Sequence, residues 1–344
     1  MIQHATPLDW GTALTTWQFS PWDLLVVLLA VPYALGLRRV GRSWPVGRAL
    51  CYAGGLLALV IAINSSVSAY SGMLFWIHMV QHLTLIMAVP VLLILGRPLE
   101  LWVRAAPEDR QDRRHQLLQS RAVGLLTHPV LTFVFYAVVL VVTHLTPFLE
   151  QRLQHPWLEH VEILLYLLSG YLFFLTVIGL EPIRWRRLPH PLRVALLLVG
   201  MLPDTLVGVV LMIGARPVAP SYALASAGWG PALLHDQSLA GSIMWFFGDA
   251  TMAALALLAV RTWLRSSGSE AGFGSWLENA RRQALTGQQG GTSDVDSDEQ
   301  ALDQYNAMLA RLNDPGGETP RGETPRGEAP GSRDERPGQP GGGA

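Results

Sequence analysis

Apolar residues fall into seven blocks within the first 265 positions, and most blocks are long enough to cross a lipid bilayer as a helix. Short polar segments separate them. The pattern therefore predicts an all-α, polytopic membrane helical bundle of about seven transmembrane helices. The predicted spans are residues 22–37, 49–63, 73–95, 129–144, 160–179, 192–213 and 239–260.

Arginine placement predicts the orientation of these spans. Arginines crowd the first, third and fifth connections and follow the last span, whereas residues 64–72 carry no charge. The fourth connection has a single arginine, Arg152, and the sixth also has one, Arg216. Because basic residues are retained in the cytoplasm, the alternation predicts an external N-terminus and a cytoplasmic C-terminus. The third connection, residues 98–127, combines apolar and charged stretches and predicts a helix along the cytoplasmic face.

A polar C-terminal region follows the apolar blocks, so we divide the chain into a transmembrane domain, 1–265, and a cytoplasmic tail, 266–344. The tail ends in repeats of the form GETPR-GETPR-GEAP, which have too little apolar surface to fold. Apolar residues at helical spacing within 273–280 and 302–312 predict one or two short amphipathic helices. The rest of the tail is predicted to be largely disordered.

Composition narrows the function classes. Half of the residues are hydrophobic, 15% are charged and the net charge is −1, so nothing favours a nucleic-acid partner. The single cysteine, Cys51, excludes an intrachain disulfide and a CxxC site. The sequence also lacks GxSxG, HExxH and a phosphate-binding glycine loop, which predicts that the protein is not an enzyme.

The most informative pair of polar residues is His78 and His82, which lie inside the third predicted span. A spacing of four residues places both imidazoles on one face of a helix. Polar groups in the hydrocarbon layer are costly and usually face a protein interior or a cavity. Neutral imidazole also binds copper, iron and zinc, so the pair predicts a metal site. The alternative is a structural pair, hydrogen-bonded to neighbouring helices.

Other potential ligands occur near the outer ends of the spans or deeper in the membrane. If helices rise 1.5 Å per residue, His82, Asp204 and Asp249 share a depth of about 15 Å. Met244 is a candidate thioether ligand because soft sulfur suits Cu(I). Asp204 follows Pro203 and has the alternative role of repairing a helix kink, and Asp249 has that of orienting an imidazole. The predicted ligands are His78, His82, His144, His160 and Met244, and the predicted supporting acidic residues are Asp204, Asp236 and Asp249.

Four stretches give the chain a family resemblance. They contain HMVQH at 78–82 with GRP at 96–98, THLTPF at 143–148, GLEP at 179–182, and DQSLAG at 236–241. With these residues the chain resembles the polytopic CtaG family of cytochrome c oxidase assembly factors. The single-anchor copper protein that shares this name is unrelated. At position 204 the resemblance leads us to expect histidine, and the aspartate there weakens the case for a soft copper ligand on the sixth span.

The resemblance implies a multi-pass protein of the bacterial plasma membrane that assists maturation of a haem–copper oxidase, with copper as the cofactor handled. It also implies oxidase subunits or other assembly factors as partners, within the lipid bilayer. Two other classes stay open. A b-type cytochrome would ligate haem through histidines on facing helices. A copper or proton transporter would use the intramembrane Asp204 and Asp249.

Overall fold

The computed structural model describes residues 7–226 and 229–265, and within these ranges the regular structure is entirely helical. The predicted short helices of the tail lie outside the described residues. The fifteen α-helices within these ranges are α1 (Trp10–Thr15), α2 (Asp23–Val40), α3 (Val46–Asn64), α4 (Ser66–Ser71), α5 (Phe75–Leu83), α6 (Val89–Leu95), α7 (Pro98–Arg104), α8 (Glu108–Leu118), α9 (Arg121–Leu126), α10 (Pro129–Leu145), α11 (Phe148–Gln154), α12 (Pro156–Ile178), α13 (His190–Ile213), α14 (Tyr222–Ala225) and α15 (Leu233–Arg265).

The predicted membrane architecture is confirmed. Six helical stretches in the described residues are long and apolar enough to span a bilayer. A seventh span results if α10 and α11, which bend by 65° at their junction, are counted together. Only the ends differ: α15 begins at Leu233, six residues before the predicted start at 239. All seven predicted spans therefore correspond to helices, as expected when hydropathy rather than local propensity determines them.

The third connection differs from the prediction of one surface helix. It contains α7, which continues the third span, and then the separate helices α8 and α9. Pro107 stands immediately before α8, where its missing N–H removes no hydrogen bond from the helix. Ser120 is the N-cap of α9, and its hydroxyl accepts a hydrogen bond from the Val123 amide. These helix boundaries divide the segment, and the pattern of apolar residues does not predict them.

The third span lies at the centre of the bundle. In its most apolar stretch 67% of the residues are buried, whereas in that of the first span only 11% are. It runs through α5, a π-helical turn at Thr84–Ala88, and α6. Pro90 explains the turn, because proline lacks an N–H and its ring clashes with the carbonyl four residues earlier, that of Ile86. The wider π-helical turn accommodates both the missing N–H and the proline ring.

The carbonyl of Ile86 points at Gly170 on α12. A Cβ atom added to Gly170 would lie 1.9 Å from the Ile86 oxygen and 2.7 Å from its carbonyl carbon. Only glycine therefore allows α12 to approach the π-turn this closely. The contact fixes the position of α12 relative to the helix that carries His78 and His82.

A buried carboxylate anchors the other end of the third span. Glu181, which follows α12, accepts hydrogen bonds from the amides of Leu99 and Glu100 in the first turn of α7. An acidic group at a helix N-terminus satisfies free amides and interacts favourably with the helix dipole. Burial raises the pKa of Glu181 to about 7, although both hydrogen bonds oppose this shift.

The orientation of the bundle stays a prediction, and reporter fusions test it. Fusions after Arg121 and after Arg193 should report a cytoplasmic location, and a fusion after Gln154 should report an external one. The physical reason is the alternating arginine content of the connections. A single reversed reading would contradict the predicted orientation.

Candidate metal centre

Three histidines converge in the interior of the bundle. His78 and His82 project from α5, and His144 projects from the last turn of α10. All three are at most 1% exposed. The ring centroid of His144 lies 4.8 Å from that of His82 and 5.9 Å from that of His78. We call His78, His82 and His144 the histidine cluster.

Hydrogen bonding fixes the tautomer of His144. Its Nδ1 lies 3.0 Å from the carbonyl oxygen of Leu140 and 2.9 Å from the Thr143 hydroxyl oxygen. The carbonyl can only accept, and the Thr143 hydroxyl already donates to the Val139 carbonyl. Nδ1 therefore carries the proton. The other nitrogen, Nε2, keeps a lone pair and is buried without a partner. This is the form in which a histidine binds a metal.

His78 and His82 present further unpaired nitrogens. Both ring nitrogens of each are buried and have no hydrogen-bond partner. Together with Nε2 of His144, five buried imidazole nitrogens are unsatisfied in one cluster. A purely structural pair would be expected to bond to neighbouring helices, because unpaired buried polar atoms are costly and rare. The geometry thus favours a ligand-binding role over the structural alternative.

The two ring separations that involve His144 are compatible with a shared small ion. Three imidazoles bound at about 2 Å place their ring centroids roughly 5–6 Å apart, which is close to the observed separations. Among residues 7–226 and 229–265, no group of three or more His, Cys, Asp or Glu side chains is arranged so that it could hold a metal ion. Ion binding therefore requires the imidazoles to rotate, and the terminal torsion of histidine turns over a broad range.

A tyrosine ring and a buried ion pair border the histidine cluster. Tyr166 on α12 stacks on His82 with a centroid distance of 4.4 Å, and its hydroxyl donates to Glu162 at 3.0 Å. Glu162 is buried and its Oε2 lies 2.8 Å from Nε of Arg152. Its Oε1 lies 3.7 Å from Nε2 of His78. Arg152 also donates to the Ser71 carbonyl and hydroxyl oxygens, which ties α11 to α4.

Neither Arg152 nor Glu162 was among the predicted site residues. Arg152 was assigned to an external connection, but α11 folds back and buries it. Two signals could have identified the pair. Arg152 is the only arginine in its connection, and Glu162 lies one helical turn before Tyr166 within an apolar span. Charges in such places usually have partners.

The two other predicted ligands, His160 and Met244, have different surroundings. His160 is exposed on α12, where its Nδ1 accepts a hydrogen bond from the Trp22 indole at 3.2 Å. Met244 is fully buried on α15, the helix that packs on α5. Met244 remains a predicted thioether ligand, and His160 occupies a separate place at the helix surface.

The three predicted acidic residues have different surroundings. Both carboxylate oxygens of Asp236 accept from the first amides of α5, at 2.8 Å from Phe75 N and 3.0 Å from Trp76 N. Asp236 therefore caps the helix that carries His78 and His82. Its role is to position that helix.

Asp204 and Asp249 form a second polar layer at the α13–α15 contact. Tyr136 donates to Asp204 at 2.8 Å, and Thr205 donates to Asp249 at 2.8 Å. Tyr136 precedes His144 by eight residues on α10, so the two layers are about 12 Å apart along that helix. The expected common depth of His82, Asp204 and Asp249 stays a prediction.

Comparison with known proteins gives a clear family match. Residues 31–266 match the family described as cytochrome c oxidase caa3 assembly factor (Caa3_CtaG). Uncharacterized proteins of Mycobacterium bovis and Mycobacterium tuberculosis are each 34% identical over 315 residues, which cover 87% of this chain and 45% of each relative. A third, from Mycobacterium leprae, is 30% identical over 311 residues, with the same coverage.

The chain thus spans less than half the length of these curated relatives, and no solved structure matches it. The family match covers the segment from within α2 to the end of α15, including every residue of the histidine cluster. The chain belongs to the membrane family of cytochrome c oxidase caa3 assembly factors.

Proposed function

We propose that this protein is a non-catalytic assembly factor of the bacterial plasma membrane that binds Cu(I) as cargo for a maturing haem–copper oxidase. His78, His82 and His144 supply the ligands. The observation that carries the proposal is the buried, unpaired Nε2 of His144, whose lone pair is fixed by the Nδ1 hydrogen bonds. Oxidase subunits or other assembly factors are the proposed partners.

Cu(I) fits this environment better than a divalent ion. Imidazoles bind as neutral ligands, so the charge of the complex is that of the ion itself. A charge in an apolar interior has a large desolvation penalty that rises steeply with its magnitude. Copper also favours nitrogen and sulfur donors over the oxygen ligands that magnesium and calcium prefer. A monovalent ion with three imidazoles is therefore the least costly occupant.

The packing around the cluster disfavours a b-type haem. The rings of His82 and His144 are 4.8 Å apart, which leaves no slot for a porphyrin between them. Tyr166 stacks directly on His82 and fills the neighbouring volume. Haem ligation would require axial histidines on facing helices with an open plane between them.

The experiment compares His82→Ala with His160→Ala, a matched control in which the lost histidine is exposed and bonded to Trp22. Each variant is expressed in a host that depends on the protein for oxidase maturation. His82→Ala should accumulate in the membrane at normal levels, retain no copper after purification and fail to yield active oxidase. His160→Ala should behave as wild type. Added copper should partly restore oxidase activity in the His82→Ala strain by mass action.

If His82→Ala accumulates normally and the oxidase matures normally, the cluster does not deliver copper and the proposal is wrong. If wild-type protein purified from copper-replete cells binds no Cu(I) in titration, the copper part of the proposal also fails. Family membership would be unaffected by either result.

A further inference from the structure

We propose that Glu162 is the positioning residue of the histidine cluster: it accepts the N–H of His78 at Nε2 and thereby directs Nδ1 of that ring at the bound ion. The inference rests on the proposed copper function. It assigns a role to a buried ion pair, Arg152–Glu162, that the ligand set alone does not explain.

The chemistry of imidazole requires such an acceptor. A neutral histidine that binds an ion through one nitrogen carries its proton on the other, and that N–H needs a partner. His144 has one, because its Nδ1 lies within bonding distance of Leu140 and Thr143. His78 has none at bonding distance. The Oε1 atom of Glu162 is 3.7 Å from its Nε2, so a small rotation of the ring would complete the bond.

Glu162 is held in place to accept this proton. Arg152 binds its Oε2 at 2.8 Å, and Tyr166 donates to its Oε1 at 3.0 Å. A carboxylate oxygen accepts two hydrogen bonds, so Oε1 retains capacity for His78. Arg152 is itself fixed by Ser71, and both charged side chains are at most 5% exposed. The carboxylate therefore has little freedom to move away.

The same network reaches a second ligand. Tyr166, which donates to Glu162, stacks its ring on His82. A shift of Glu162 would therefore change the surroundings of two of the three proposed ligands. Carboxylate–histidine–metal arrangements of this kind typically change metal affinity 10–100-fold when the carboxylate is removed.

The test measures Cu(I) affinity of the purified full chain by competition with a Cu(I) chelator, together with the melting temperature of each variant. Glu162→Gln preserves the shape but removes the charge and replaces one of the two acceptor oxygens by an NH2 donor, so the remaining oxygen cannot serve both Arg152 and His78. Glu159→Gln is the control, because Glu159 also faces Arg152, at 3.7 Å, but is 34% exposed and makes no hydrogen bond to the unpaired nitrogens of the histidine cluster. Arg152→Gln combined with Glu162→Leu removes both charges and every hydrogen-bond acceptor at position 162, and so eliminates the unpaired arginine.

We expect Glu162→Gln to weaken Cu(I) binding at least about tenfold, and Glu159→Gln to change it by less than about threefold. The double variant should melt at a higher temperature than Glu162→Gln, but its Cu(I) affinity should stay as low as that of Glu162→Gln. If the double variant regains wild-type affinity, Glu162 only neutralises Arg152 and the inference is wrong. Equal affinity in Glu162→Gln and wild type would overturn it as well.

A metal-free measurement separates this inference from the copper proposal. In protein labelled with ¹⁵N-histidine, the His78 signal, assigned by its loss in His78→Ala, should report a protonated Nε2 in wild type. The signal should change in Glu162→Gln and not in Glu159→Gln. If wild type binds no Cu(I) but this pattern holds, the copper proposal fails and the Glu162–His78 pairing stands. An unchanged His78 signal in Glu162→Gln would refute the pairing.

Discussion

Replacing His144 by alanine should lower the Cu(I) affinity of the purified protein by about 100-fold or more. His144 offers the one cluster nitrogen whose lone pair is already fixed, so its loss removes a preorganised ligand. No water readily replaces a ligand in this buried layer, because His144 is fully inaccessible to solvent. Competition titration with a Cu(I) chelator measures the effect directly.

Stability distinguishes this outcome from misfolding. The hydrogen bonds that His144 makes within the membrane contribute about 1 kcal/mol or less, so the melting temperature should fall by only a few degrees. His155→Ala is the control, since His155 is exposed at the start of α12. Unchanged Cu(I) affinity in His144→Ala, with a folded protein, would remove His144 from the ligand set.

Gly170→Ala should destabilise the protein by about 3 kcal/mol or more, or prevent its accumulation in the membrane. The new methyl group would lie 1.9 Å from the Ile86 carbonyl oxygen, which belongs to the backbone of the π-turn. Since a backbone carbonyl cannot rotate away as a side chain can, α12 would have to move from the third span. Thermal unfolding in detergent measures the loss.

Gly54→Ala provides the matched comparison within a transmembrane helix. A Cβ atom at Gly54 would meet only the Leu92 side chain, at 4.0 Å. Alanine is the better helix former, so this change should be neutral or slightly stabilising. Equal melting temperatures for the two alanine variants would contradict the close approach of α12 to the π-turn.

The overall fold was predictable because bilayer spans are encoded in local hydropathy. Each apolar block of about 15 to 23 residues corresponds to a helix, since backbone polar groups in lipid must be satisfied within the segment. The break at Thr84–Ala88 was not predicted. It arises from Pro90, but whether proline produces a kink, a π-turn or a helix end depends on the neighbouring helix.

The candidate site was predictable in part. The spacing of His78 and His82 identified one face of α5, and the outer end of the fourth span supplied His144. The sequence could have marked Arg152 and Glu162 individually as charges that need partners. That they pair with each other was not predictable, because the two lie on different helices, α11 and α12. Asp236 was expected to support the ligands. Its cap on Phe75 and Trp76 became evident only from the packing of α15 against α5.

X-ray absorption at the copper edge of Cu(I)-loaded wild-type protein measures the ligands of the bound ion. We expect one ion per chain, bound by three imidazole nitrogens at about 2 Å. In His144→Ala the imidazole count of any residual copper should fall. A copper environment dominated by sulfur, or the failure of wild type to retain any Cu(I), would contradict the claim that the histidine cluster is the copper site.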